Sequence, residues 1–358
     1  MATPRSSSPS RFRLTLQRIN KHIDWLIVGL LACILLATAF PAKGDFAIGM
    51  HYVSKVFLFL LFFFYGAKLA PRETLMGLRN WRLHVVITCF TFVVFPIIGI
   101  GLKYATIGWL GQGLALGLLY LTLVPGTVQS SIAFTSVAHG NVAGAIVSAS
   151  MSNVLGVFLT PLLVMLTMAT TGDVHITGRS ILDIFLQILL PFIIGQLLHK
   201  RLGPVLSRHP ILTKTIDRGT IWVNVYTAFS EAVVEGVWKR VTMLHLLGLV
   251  GICIVVVSLV LTLSWLLARA LGFDRGDRIA AQFCGSKKSL SSGIAMGAVL
   301  FAGVGNGLSA GMLMLPLMLF HLFQLLICAV LAGRYGRQWE RAHPEGEPEE
   351  VREPAQSE

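Results

Sequence analysis

Two adjacent lysines interrupt an apolar stretch of this sequence. Lys287 and Lys288 lie in the run 282–296, which also contains Gly285, Gly293 and several serines. A lysine near the centre of a bilayer costs about 2.5–3.5 kcal/mol on insertion scales, so two lysines there indicate a function. The glycines and serines predict a broken helix, which is tolerated at membrane depth where it lines a cavity. We expect this segment to bind a charged or polar ligand.

A second polar interruption begins at Pro125 and Gly126. Proline removes a backbone donor and glycine relaxes the chain, so a kink or an unwound stretch is expected. The next residues supply oxygens where backbone carbonyls become free. The alternative is a proline-kinked helix whose hydroxyls bond to their own backbone.

Other intramembrane polar residues are weaker candidates. Ser148 and Ser152 share one helical face, with Asn153 beside them, and serve either a ligand or close helix packing. Glu231 is a candidate proton or cation site. The complete set of candidate substrate- or ion-binding residues is Thr127, Gln129, Ser130, Ser131, Ser148, Ser152, Asn153, Glu231, Ser286, Lys287, Lys288, Ser289, His321 and Gln324.

The composition indicates a polytopic membrane protein. Of 358 residues, 54% are hydrophobic and 13% are charged, whereas a soluble domain carries about a quarter charged residues. Apolar runs near the roughly 18–20 residues that cross a bilayer recur along the chain. The five cysteines are odd in number, lie in apolar segments and lack CxxC spacing, so neither a disulfide nor a metal site is expected. No cofactor motif is present.

Ten apolar segments predict ten transmembrane helices. They cover residues 25–40, 54–70, 83–102, 113–138, 141–169, 180–198, 216–237, 243–268, 278–300 and 308–332. Most lysines and arginines fall in the connections on one side, which places both termini in the cytoplasm. The net charge of +12 is therefore a topology signal, and nucleic-acid binding is not expected.

The segments also predict the domain organisation. Residues 1–24 form a basic cytoplasmic tail, 25–337 form the ten-helix domain, and 338–358 are rich in Pro and Glu and predicted to be disordered. The spans divide into two halves of five, about 25–169 and 180–332. Because five is an odd number, the halves can be repeats only if the second is inverted in the membrane. The interrupted fourth and ninth segments occupy corresponding positions in these halves, which is typical of a transporter site.

Four motifs together carry a family resemblance. They are Pro125–Gly126 with the polar run after it, Gly140–Ala143, Tyr226–Glu231 and Phe283–Leu290. The chain resembles the bile acid:sodium symporter family, and the last two motifs resemble its YfeH-type (SBF-like) bacterial branch. The resemblance implies an all-α fold of two inverted five-helix repeats. In that fold, broken helices 4 and 9 cross in a core domain beside a panel domain.

The lysines depart from the pattern of the sodium-coupled members. When the motifs are matched on Gly285, the family's Glu and Gln ligands fall at about Phe283 and Lys287, and neither residue ligates sodium. One of the two lysines could extend to water. For a lysine that stays in the site, two interpretations are open. A lysine occupies the place of the cation, its three donors meeting freed carbonyls and hydroxyls. Alternatively, it faces an anionic substrate, helped by the positive end of a half-helix.

The sequence therefore predicts a secondary active transporter of an organic, anionic solute in the bacterial inner membrane. Its coupling is to sodium, to protons or to neither. One alternative is a non-transporting membrane regulator with a transporter fold. Another is an intramembrane hydrolase in which Ser286 or Ser289 has a lysine base. Adjacent Ser and Lys residues on one helix do not readily meet, so enzymatic activity is not expected.

Overall fold

The protein is described by a computed structural model over residues 25–68, 80–169, 182, 185–234, 236, 241–302 and 308–343. Every regular element in these ranges is a helix. Helices satisfy their backbone hydrogen bonds internally, which is what lipid requires of a spanning segment. The basic tail 1–24 and most of the tail 338–358 lie outside the described residues. The last helix continues to Ala342, beyond the boundary predicted at 337.

Thirteen helices follow one another in the described part of the chain. They are α1 (Trp25–Ala39), α2 (Gly44–Lys68), α3 (Trp81–Leu110), α4 (Gln112–Leu123), α5 (Val128–Val137), α6 (Val142–Val164), α7 (Phe185–Leu197), α8 (His199–Arg208), α9 (Pro210–Val234), α10 (Met243–Ala270), α11 (Arg275–Gly285), α12 (Leu290–Leu300) and α13 (Ala310–Ala342). Helix α3 contains a π-helical turn at Phe90–Val94.

Five of these helices are long and apolar enough to cross a membrane: α2, α3, α6, α10 and α13. Helices α4 and α5 make a sixth span if the bent pair is one crossing. Helices α1 and α7 contain shorter apolar stretches. Length and composition therefore identify fewer spans than the ten predicted. Helix α9 and the α11–α12 pair carry the polar residues of the predicted site, and ten spans stay a prediction.

The helices pack in two groups that meet mainly along α9. Helices α1, α7 and α8 pack around α2 and α9, while α3–α6 pack with α10–α13. Helix α9 contacts α12 and α13 in the second group. Helices α2 and α7 approach closely because Gly66 faces the Phe192 carbonyl and Gly195 faces the Phe63 carbonyl, where a Cβ would overlap.

Candidate functional site

Both predicted interruptions are breaks in the helices. Helix α4 ends at Leu123 and α5 begins at Val128, with a bend of 64° between them. Helix α11 ends at Gly285 and α12 begins at Leu290. Pro125 accounts for the first break because it has no N–H to continue the helix. The unwound backbone expected from the sequence is confirmed at both places.

The two breaks contact each other directly. Ser289 N donates to Pro125 O at 2.8 Å, and Thr127 Oγ1 donates to Lys288 O at 2.8 Å. Gln324 of α13 pairs with the main chain of Lys288, accepting from its N at 2.9 Å and donating to its O at 2.8 Å. These backbone groups of the breaks are thus satisfied by the opposite break and by α13, as buried polar groups must be.

Three predicted serines bond to the backbone near the breaks. Ser152 Oγ accepts from Gly126 N at 3.0 Å. Ser131 Oγ donates to Phe283 O at 3.3 Å, which links α5 to α11. Ser286 donates to a carbonyl of its own helix. The hydroxyls of Ser131 and Ser152 join the breaks to neighbouring elements. Ser131 bonds to a carbonyl of α11 and not to its own helix, which was the alternative for the polar run after Pro125.

The ammonium of Lys288 is held by three carbonyl oxygens. Its Nζ lies 3.0 Å from Thr91 O, 2.8 Å from Thr122 O and 2.9 Å from Val124 O. The side chain is 0% exposed, and Nζ lies 4.1 Å from the ring centroid of Phe95. An ammonium has three donors, and all three are used here. Lys288 therefore occupies a cation site made of backbone oxygens.

The sequence explains why these three carbonyls accept a side chain. In a π-helical turn the donor to Thr91 O would be the N–H five residues on, at Pro96, which has none. Thr122 and Val124 lie at the end of α4, where carbonyls have no partner within the helix. The prolines at 96 and 125 thus leave carbonyl oxygens without backbone donors, and the Lys288 ammonium donates to these oxygens.

Lys287 lies in a different environment from its neighbour. It is also 0% exposed, but its Nζ has no hydrogen-bond partner among the described residues. The Nζ lies 3.6 Å from the ring centroid of Phe134 and 5.8 Å from that of Phe283. The group is stabilised by aromatic faces rather than by oxygen atoms.

A pocket of about 570 Å³ opens beside the two breaks. One wall is apolar, with Val154, Phe192 and Ile221 among its residues. Ser130 Oγ, in the lining, is buried and has no hydrogen-bond partner in the part of the chain that the structure describes. The predicted site residues that line the pocket are Thr127, Gln129, Ser130, Asn153, Ser289 and His321. About half of the site residues that the sequence predicted therefore line one cavity.

Seven polar residues of the pocket were not among the predicted site residues. They are Tyr65, Lys68, Ser150, Lys214, Asp217, Arg218 and Ser291. The lysines and the arginine were assigned to cytoplasmic connections, because the positive-inside rule counts them there. The sequence feature that could have identified these residues is Asp217, an acid at the very start of an apolar segment with basic residues on either side.

The remaining candidates do not line the pocket. Ser148 Oγ lies 2.7 Å from Nδ1 of His84, and Glu231 Oε1 lies 2.9 Å from Nε2 of the partly exposed His51. Both lysines and Gln324 are buried behind the breaks. The described residues contain no group of three or more His, Cys, Asp or Glu side chains that could hold a metal ion.

Known proteins resemble this chain over most of its length. The sequence profile of the SBF-like CPA transporter family matches residues 24–337. YfeH of Escherichia coli K12, whose name provisionally describes a symporter, is 44% identical over 92% of this chain and 98% of its own. An uncharacterised protein of Pseudomonas aeruginosa is 47% identical over 88% of this chain and 93% of its own. The sodium/bile acid cotransporter 7 of Danio rerio is 26% identical over 88% and 93% of the two chains.

Proposed function

Because this chain belongs to the SBF-like CPA transporter family, we propose that it carries an organic anion across the membrane through the pocket beside the breaks. It is a membrane transporter and not an enzyme, as the family and its named relatives are. The solute and the coupling ion are the parts that we propose here.

The observation that carries the proposal is the charge of the pocket. Lys68, Lys214 and Arg218 line it, and Asp217 is the one acid in its described lining. The rest of the wall includes valine, phenylalanine, isoleucine and leucine side chains. Basic groups beside an apolar wall are complementary to an anion that carries an apolar body. Neither Lys287 nor Lys288 lines the pocket, so the anion contacts fall to the three basic residues instead.

We further propose that transport does not require sodium. Three carbonyl oxygens already lie 2.8–3.0 Å from the Lys288 ammonium and surround it as they would a bound cation. A second cation near this ammonium would be repelled by it. Of the two interpretations of the lysines, this geometry supports the replacement of a coupling cation by Lys288.

The architecture that we propose is ten spans in two inverted repeats. Helices α1, α2 and α7–α9 would form the panel, and α3–α6 with α10–α13 the core that contains both breaks. The break in each half and the placement of the basic residues support this arrangement. Both termini would then be cytoplasmic, in the inner membrane of a bacterium.

Uptake into proteoliposomes tests the proposal. A panel of radiolabelled organic anions, beginning with taurocholate, is offered in sodium-free potassium buffer. We expect saturable uptake of at least one anion. We also expect the KM to rise about tenfold or more in Arg218→Gln, because a charge-assisted hydrogen bond contributes about 1.5–3 kcal/mol.

Lys200→Gln is the matched control, because Lys200 is exposed on α8 and does not line the pocket. A strict requirement for sodium would contradict the role of Lys288. Equal KM values for the two variants would contradict the pocket assignment, and uptake of no anion would contradict the transport of organic anions.

A further inference from the structure

Three oxygen atoms from three helices form a closed triangle in the wall of the pocket. Tyr65 OH of α2 donates to Asp217 Oδ1 of α9 at 3.0 Å, and Ser291 Oγ of α12 donates to the same oxygen at 2.6 Å. The Tyr65 and Ser291 oxygens lie 2.9 Å apart. We call these residues the Asp217 triangle.

The number of hydrogen atoms in the triangle depends on the charge of Asp217. The two hydroxyls supply one hydrogen each, and an ionised carboxylate supplies none. When both hydroxyls donate to the carboxylate, the 2.9 Å contact between Tyr65 and Ser291 has no hydrogen left. One added proton on Asp217 Oδ1 lets each oxygen donate once and accept once, so that all three contacts become hydrogen bonds. The three oxygen atoms can therefore accommodate one added proton, bound to Asp217 Oδ1.

The surrounding basic groups act on the carboxyl of Asp217 from a distance. Lys68 of α2, Lys214 and Arg218 of α9 itself and His321 of α13 line the same pocket. Lys68 and Arg218 act on the carboxyl of Asp217 through space, and neither forms an ion pair with it within 4.0 Å in the described part of the chain. The carboxyl is instead bonded to two neutral hydroxyls, and both remain bonded to it in either protonation state.

The triangle joins parts of the protein that we assign to different domains. Tyr65 and Asp217 belong to the group of helices around α2 and α9, whereas Ser291 lies in the first turn of α12, beyond the break. The neighbouring Ser292 donates to Asn153 Oδ1 of α6 at 2.9 Å. A change in the charge of Asp217 therefore changes the hydrogen bonding at the contact between the two groups of helices.

We propose that Asp217 is the proton-binding site of this carrier. Its carboxylate takes up one proton from water on one side of the membrane, forming an O–H bond on Oδ1, and that bond breaks to return the proton to water on the other side. The protonated triangle has its third hydrogen bond and holds α12 against α2 and α9. Coupling of this proton to the organic anion rests on the proposed function, whereas proton binding itself does not.

Infrared difference spectroscopy of the purified protein in lipid nanodiscs tests proton binding without any solute. Between pH 9 and pH 5 we expect a protonated-carboxyl C=O band to appear, and we expect Asp217→Asn to lose it. Asp45→Asn is the control and should keep the band, because Asp45 is exposed at the start of α2. Tyr65→Phe should move the midpoint by about one pH unit, since it removes one contact to Oδ1. A band that persists in Asp217→Asn, or no band above pH 5, would overturn the proposal.

Taurocholate uptake with and without an acidic outside buffer tests coupling. We expect the wild-type protein to take up more solute with the proton gradient, and the ratio of the two rates to fall to about one in Asp217→Asn. An unchanged ratio in that variant would overturn coupling at Asp217. If the wild-type protein transported no anion, the proposed function would fail, while the infrared band would still decide proton binding.

Discussion

Two neighbouring lysines in this protein have the same burial and opposite bonding. Lys287 and Lys288 are both 0% exposed. Lys288 donates to three carbonyls, whereas Lys287 Nζ lies over Phe134 and has no hydrogen bond to any described residue. Removing a partner from a buried polar group costs about 1–3 kcal/mol per group, whereas replacing an unpaired buried charge by an apolar side chain is neutral or stabilising. The two lysines therefore form a natural matched pair.

We expect Lys288→Met to lower the free energy of unfolding by about 3 kcal/mol or more, since three carbonyls lose their donor. The same change at Lys287 should leave stability within about 1 kcal/mol of the wild type or raise it. Thermal unfolding of the detergent-solubilised variants, followed by tryptophan fluorescence, measures both. Equal losses in the two variants would contradict the assignment of the oxygen site to Lys288.

The sequence predicted the polar residues of the breaks better than the rest of the pocket. Thr127, Ser130 and Ser289 follow interruptions that proline, glycine and lysine reveal, and all three line the pocket. Tyr65 and Asp217 lie in other helices, and nothing local to them shows that they meet Ser291. Their contact depends on tertiary packing, which a single sequence does not specify.

At the scale of elements, the first break depends on how α6 packs against Pro125. Gly156 of α6 lies so close that a Cβ there would come within 2.5 Å of the Pro125 Cβ. A Cβ on Gly126 would meet its nearest neighbours at 3.4 Å, which is an ordinary contact. The glycine that the break requires is therefore the one on the neighbouring helix. The sequence indicated only the glycine inside the break.

Gly156→Ala should displace Pro125 and destabilise the protein by about 1–3 kcal/mol, as overpacking of a well-packed core does. We expect Gly126→Ala, the control at the break itself, to cost less than Gly156→Ala. The melting temperatures of the two purified variants, with uptake as a second readout, compare them. A larger loss in Gly126→Ala than in Gly156→Ala would contradict this account of the break.

At the scale of the molecule, the sequence predicted the helical class and the two breaks more firmly than the number of spans. Apolar runs identify α2, α3, α6, α10 and α13 because these helices are long and apolar without a break. Helix α9 and the α11–α12 pair give weaker signals, since they carry Asp217 and the two lysines. Two of the elements that build the polar site, α9 and the α11–α12 pair, are therefore missed by a test of length and apolarity.

We expect both termini to be cytoplasmic, because the basic residues alternate between the two sides. Single cysteines introduced at Lys43 and Lys200, both exposed, test this in a variant without the five native cysteines. An impermeant maleimide added to whole spheroplasts should label position 43 and not position 200. Permeabilised spheroplasts, where both should react, are the control. Labelling of position 200 from outside would contradict the inverted arrangement.

The ammonium of Lys288 has an electrical consequence because it is part of the chain. An ion taken from solution is released on the far side and adds its charge to the current, whereas a covalently attached cation returns with the empty carrier. Lys288 therefore contributes nothing to the net charge moved in a complete cycle. If one proton at Asp217 accompanies one monovalent anion, the cycle is electroneutral. The inside-negative membrane voltage then neither drives nor opposes accumulation, and the pH difference alone sets its limit.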